Sequence, residues 1–221
     1  KNALRFVRVD SDVIENLISK ENKNVVALTS EQEDALRYTF ESVLPKNDKD
    51  TKVNYSVSFE SVSEDALPVF LTQNEFMRRM KEMSVHQQGM SFYGQMPDHY
   101  NVVINTANPK VNVLMQQIMD ACAQEVLPLQ EQLSAKKDEE QQIKDAQKDI
   151  KEQDLTQEQK DAVTAITKEV AALKQQIKNA YAEHAKNEDK VSQLIDIALL
   201  ASGMLKGEAL AKFVNRSVDL L

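Results

Sequence analysis

Few side chains in this sequence could carry covalent chemistry. The chain holds three histidines, His86, His99 and His184, and one cysteine, Cys122. The histidines are scattered and lack the short, regular spacing of metal ligands. Cys122 falls on the apolar side of a helix-forming stretch, where a thiol serves as a small hydrophobe rather than a nucleophile. Asp98-His99 could act as an acid–base pair, but no nucleophile is in view for it. A turn residue beside a surface histidine is the simpler reading. No phosphate-binding loop, dinucleotide fingerprint or serine elbow occurs. The carboxylates of 136–154 alternate with lysines, as on a solvated face. No catalytic, cofactor-binding or metal-binding residue is assigned.

Non-covalent recognition has more to work with. Phe76, Met77, Met80 and Met83 form one stripe at helical spacing, and Met90, Phe92, Tyr93 and Met96 follow closely. Methionine is flexible and polarizable, which suits a surface that adapts to varied partners. The same spacing suits a helix face packed on a sheet, so both uses stay open at this point.

The elements that position these residues are mostly helical. Four Gly and five Pro among 221 residues are too few for an all-β fold. The net charge of -8 argues against a nucleic-acid phosphate partner. One cysteine makes no internal disulfide, which points to a reducing, cytoplasmic setting. The longest apolar run, around Ile197 to Leu200, is far too short to span a bilayer. The chain opens on Lys1 without a signal pattern, and is expected to be a piece of something longer.

The first half reads as α+β. Leu4 to Val9 is extended, and a helix carries Val13, Ile14, Leu17 and Ile18. Val25 to Leu28 is a short strand. A helix follows with Ala35, Leu36, Phe40, Val43 and Leu44 on its apolar face, opened by a Ser30–Glu33 capping box and stopped by Pro45. Val53, Tyr55, Val57 and Phe59 alternate as a half-buried strand does. Leu67 to Leu71 and Tyr100 to Asn105 complete a small three-stranded sheet. Thr72 with Glu75 opens the methionine helix between them.

From Val111 the chain turns to Gln, Lys, Glu and Ala. Val113, Leu114, Ile118, Cys122 and Val126 begin a long helix, with a kink expected at Pro128. Ile143, Ala146 and Ile150 are its weak outer seam. A Thr156–Gln159 capping box opens a second helix, where Val163, Ile166, Val170, Leu173, Ile177 and Ala180 alternate by three and four. The two make an antiparallel hairpin over 129–183. It should have few contacts with the body, so that residues 130–182 could be replaced by a short linker.

Two short helices close the chain. Val191, Leu194, Ile195, Ala198 and Leu199 line the first, which ends at Ser202-Gly203. Leu210, Phe213, Val214, Ser217, Val218 and Leu221 line the second. Ile197, Leu200 and Ala201 make the first helix apolar on two sides, so it needs two surfaces to bury against. Its own domain supplies one, and a second copy of the chain could supply the other.

Three segments resemble the ninety-kilodalton heat-shock chaperones in their bacterial form. Arg5-Phe6-Val7-Arg8-Val9-Asp10-Ser11-Asp12 resembles the link between the family's middle and C-terminal domains, within residues 1–20. Ile104-Asn105-Thr106-Ala107-Asn108-Pro109-Lys110-Val111 resembles its I-N-P-D-H-P-x-V segment, with Thr106-Ala107 and Asn108 departing from the usual Pro-Asp and His. Ala198-Leu199-Leu200-Ala201-Ser202-Gly203 resembles its A-L-L-x-S-G, with a terminal apolar helix at the right distance. Order and spacing agree over roughly 1–125 and 186–221.

The resemblance implies a C-terminal dimerisation domain at 1–128 and 184–221, from a cytosolic, ATP-dependent, homodimeric folding chaperone. The family's ATP and Mg site lies in another domain, so no cofactor is expected here. Dimerisation through the last two helices maps onto Val191–Ser202 and Ala209–Leu221, and contact with unfolded clients maps onto Asn74–His86. Partners are then a second copy and client proteins, with no nucleic acid and no membrane. The hairpin 129–183 has no expected counterpart in the family and reads as an insertion. A different reading is a coiled-coil adaptor whose arm binds a partner and whose α+β part is a platform.

Overall fold

The computed structural model describes residues 28–45, 53–86, 96–148 and 156–219. The extended segment and helix expected before residue 28, the arm tip, and Met90, Phe92, Tyr93 and Leu221 lie outside the described residues. Nine elements follow in order: α1 (Ser30–Val43), β1 (Val53–Glu60), β2 (Val69–Gln73), α2 (Glu75–His86), β3 (Asp98–Asn105), α3 (Pro109–Gln147), α4 (Gln157–Ala185), α5 (Asp189–Ala201) and α6 (Gly207–Asp219). The fold is the expected α+β, with six helices around one small mixed sheet among the described residues.

The sheet order is β1-β3-β2. β3 is central, parallel to β1 and antiparallel to β2, with Val57 opposite Val102 and Leu71 opposite the same residue. Alternation along each strand sends Val57, Val69, Leu71, Val102 and Ile104 into the core. β1 is an edge. Arg37 covers part of it, donating Nη1–H to the Val57 carbonyl at 2.9 Å while its guanidinium stands 5.0 Å from the Phe59 ring centre.

The segment after β3, which departs from the family's motif at Thr106, Ala107 and Asn108, forms a hydrogen-bonded turn. Asn105 is fully buried and meets all its hydrogen-bonding capacity. Its Oδ1 accepts from the amides of Val62 at 3.1 Å and Ala107 at 3.2 Å, and its Nδ2 donates to the carbonyls of Ser63 at 2.7 Å and Leu67 at 3.3 Å. Asn108 caps α3 through Oδ1 to the Lys110 amide at 2.9 Å and donates Nδ2–H to the carbonyls of Ala66 and Glu64 at 2.8 and 3.2 Å. Pro109 follows at the first helical position, where no amide is missed. Two asparagines thus hold the β1–β2 connection against the start of α3.

Several boundaries differ from the sequence reading. The cap of α1 is Thr29 with Gln32, one residue earlier than Ser30 with Glu33. Thr72 lies in β2, which runs Val69–Gln73 rather than from Leu67. Asn74 opens α2, with Oδ1 accepting from the Met77 amide at 3.1 Å. Leu28 is not in a strand. Pro128 lies within α3, the long helix expected to contain it. The Thr156–Gln159 box is as expected.

α3 and α4 are antiparallel, since Gln147 reaches Gln159, Glu140 reaches Thr167 and Lys136 reaches Glu169. The outer seam of α3 is more polar than expected. Ala146 is exposed, and the three–four alternation instead runs through Leu133, Lys136, Glu140, Ile143 and Gln147. Lys136 pairs with Glu169 at 2.7 Å, and Glu140 accepts from Thr167 Oγ1 at 3.0 Å. Lys144 and then Thr167 hold the Glu140 carboxyl below its usual range.

The base of the arm belongs to the core, against the expectation of few contacts. Val170, Ile177, Ala180 and Tyr181 are buried in the same cluster as Leu36, Phe40 and Cys122. Lys178 pairs with Glu41 of α1 at 2.9 Å and lies 5.5 Å from the centre of the Tyr38 ring. A three–four repeat shows that a helix has an apolar side, but not which elements cover it.

Two outcomes are expected. Asn105→Ala removes four part-buried hydrogen bonds, to two carbonyls and two amides, and should cost about 3 kcal/mol, read by urea unfolding. Joining Glu140 to Ile166 through a short Gly-Ser link should leave the fold intact by circular dichroism. Replacing 130–182 should unfold the chain, because it removes Tyr181 and Ile177, each worth about 3 kcal/mol or more when buried.

Candidate functional site

The side chains with catalytic potential do not converge. Asp98 and His99 are neighbours on β3, and neighbouring strand residues face opposite sides. The Asp98 carboxylate pairs with Lys81 at 2.8 Å and accepts from Gln73 Nε2 at 3.5 Å. His99 is exposed, with Nε2 3.0 Å from Ser56 Oγ. Ser56 donates to Asn101 Oδ1 at 3.1 Å, and Asn101 Nδ2 donates to Ser58 Oγ at 2.7 Å, so this is a cross-strand polar ladder. His184 sits at the base of the arm, its Nε2 buried without a partner. Cys122 is buried in the core, and burial, then Glu125, pushes its thiol up, away from the nucleophilic form. Among the described residues no three His, Cys, Asp or Glu side chains are grouped as metal ligands would be.

Two helices stand out by being poorly covered. α2 has no fully buried side chain among its described residues. Met77 and Met80 are half-buried and Met83 is 44% exposed. The Phe76 side chain lies outside the described set. α2 is tethered by polar contacts: Lys81 holds Asp98 and donates to the Met96 carbonyl at 3.5 Å. A helix held by such polar contacts can keep part of its apolar stripe uncovered, as Met83 shows.

α5 and α6 divide the residues expected at a dimer interface into three groups by burial. Val191, Ile195, Ala198 and Leu199 are buried within the chain, where α5 lies against β2 and α1. They form the inner side of α5. Leu194, Leu210 and Phe213 are half-buried against the core. Val214 is 49% and Val218 63% exposed, and Leu200, on the second apolar side expected of α5, is 43% exposed.

The α5–α6 connection explains the arrangement. Gly203 takes a left-handed φ of 69°. Its amide reaches the Leu200 carbonyl at 2.9 Å, and the Met204 amide reaches Leu199 at 2.8 Å, closing α5 with paired bonds. The chain then returns along the outer side of α5. A polar clamp holds it there: Gln193 Nε2 donates to Ser217 Oγ at 2.6 Å, Arg216 Nε donates to Gln193 Oε1 at 3.1 Å, and Arg216 pairs with Asp196. Sequence reasoning missed this clamp because it sought apolar periodicity. Gln193 and Asp196, three apart on α5, were its available signal. No described side chain of α6 is fully buried.

Comparison with known proteins finds relatives. Over 98% of its length the chain is 43% identical to a protein of Bacteroides thetaiotaomicron named chaperone protein HtpG. It is 41% identical to the HtpG of Bacteroides fragilis and 38% identical to that of Porphyromonas gingivalis, again over 98% of the chain. In each case the match spans 31% of the relative's length. The first alignment takes in 217 of the 221 residues. The hairpin 129–183, expected to lack a counterpart, is therefore shared by these relatives. No family model and no solved structure matches the chain. Across this segment the chain is homologous to proteins named HtpG chaperone.

Proposed function

We propose that this chain is the C-terminal dimerisation and client-contacting part of an ATP-dependent HtpG-type chaperone of the cytoplasm. The observation that carries the reading is the partial cover of α6. Leu210 and Phe213 lean on the chain's own core, while Val214 and Val218 remain exposed on the same amphipathic helix. Together with Leu200 they offer an apolar surface that a second copy can cover with its own, in a two-fold four-helix arrangement. Inner residues such as Val191 and Ile195 then support the interface from behind rather than lie in it.

α2 supplies the second role. Met77, Met80 and Met83 form a pliable stripe on a helix with no fully buried side chain among its described residues, as suits unfolded chains of varied sequence. Binding and hydrolysis of ATP belong, on this reading, to another part of the whole chaperone, and this segment is not catalytic. Cys122, buried with its thiol pushed up, and His184, whose Nε2 has no partner, support that assignment, and His99 meets a Ser56 hydroxyl that already donates to Asn101 in an exposed polar ladder.

Val214→Asp together with Val218→Asp tests the dimer. Both side chains are exposed in one chain, so folding should be nearly unchanged, whereas at an interface each buries an unpaired charge. Dimer stability should fall by about 3 kcal/mol or more, a roughly hundredfold rise in dissociation constant by sedimentation. A dimer of unchanged strength would place the interface elsewhere.

Met77→Ser with Met80→Ser tests the client surface. Suppression of client aggregation should weaken several-fold, while the melting temperature moves by no more than a few degrees. A large drop in melting temperature would make the stripe part of the core.

A further inference from the structure

An apolar groove of about 450 Å³ opens between the first turns of α3 and α5. Its floor includes Val113, Leu114 and Leu194, and Val113 is 57% exposed. Among the described residues the only charged side chains in its lining are Lys110 and Lys190, in a chain of net charge -8. Lys190 donates to the neutral Gln117 amide oxygen at 2.9 Å, so its charge is not compensated there. Lys110 stands in the first turn of α3, which has no acidic residue. A cation at that end opposes the helix dipole, so folding alone does not favour it. Positive charge around an apolar floor selects a partner that is apolar in the middle and negative at the ends.

We infer that this groove binds short peptide segments in which a few adjacent apolar side chains are flanked by Asp or Glu. The occupant is a client segment, so the inference rests on the chaperone reading, but its site is separate from the α2 stripe. The open form of the groove between two helices admits a continuous chain. Its volume holds a few aliphatic side chains. The lysines then bias which segments are taken, and apolar contact supplies the affinity.

The test uses two fluorescein-labelled peptides with the same four-residue Leu/Val centre, one flanked by glutamates and one by lysines. Anisotropy at low salt should show the acidic peptide bound at least about fivefold more tightly, and the gap should shrink at high salt. Lys110→Glu with Lys190→Glu should reverse the preference. It should leave the circular dichroism unchanged, because carboxylates at helix N-termini are well tolerated. Val113→Asp should weaken both peptides. Equal binding of the two peptides, or a preference untouched by the charge reversal, would overturn the inference. So would loss of peptide binding as protein concentration rises, since a second copy would then fill the groove. Aggregation suppression by the unmodified chain reports on the chaperone reading separately. If it fails while the peptide preference and its reversal hold, the groove stands and the client reading falls.

Discussion

The fold depends on how a three-stranded sheet of limited area gets its apolar face covered. β1, β2 and β3 present Val57, Val69, Leu71, Val102 and Ile104 to one side, which is too little for a sheet to stand alone. The cover comes from α1, from the start of α3, from α5, and from the base of α4. Tyr181 sits at that junction, 1% exposed, among the largest fully buried side chains. Burial, above all, pushes its phenol up to about 12, so it stays neutral at any physiological pH and adds ring area without a charge to desolvate. The arm is anchored here because the core needs its base.

That anchoring changes what the arm is. A hairpin with a separate seam could be lost without consequence. This one continues the core outward, and its seam becomes more polar with distance from the body. Leu133 and Val170 are buried near the base. Beyond them Lys136, Glu140 and Gln147 occupy seam positions on α3 and meet α4 through ion pairs and hydrogen bonds. Polar groups in a helical seam fix register while adding little stability, because exposed pairs contribute about 1 kcal/mol or less. The outer half is therefore well aligned and weakly held, and the base is neither separable nor weak.

Much of this was legible in the sequence, and the limits have physical causes. Alternation in Val53–Phe59 and the three–four repeat of Val163–Ala180 follow directly from strand and helix periods, and both elements exist. The polar seam of α3 was not legible, because Lys136, Glu140 and Gln147 look like solvent residues until α4 is placed against them. The roles of Asn105 and Asn108 were hidden for a similar reason. Their partners are carbonyls of Ser63, Leu67, Glu64 and Ala66, some forty residues away in sequence, and no local pattern carries that information. Caps missed by one or two residues, as at Thr29 and Asn74, reflect competition between adjacent residues of similar capping strength.

The candidate surfaces teach the same lesson more sharply. Periodicity identified the apolar sides of α5 and α6 but could not separate a side covered by the chain from one left open. Val191 and Val218 contribute alike to their helical patterns, yet one is 0% and the other 63% exposed. The difference arises from the number of neighbours each helix has. α5 lies between the sheet and α6 and must be apolar on its inner side to fold. α6 has α5 beneath it and is fastened there by Gln193, Asp196 and Arg216, polar groups that leave its valines uncommitted. α2 repeats the device, tied by Lys81 to Asp98 while its methionines stay partly uncovered. In both helices polar contacts share in the fastening, on α6 beside Leu210 and Phe213, which lean on the core, so that part of an apolar stripe remains at the surface.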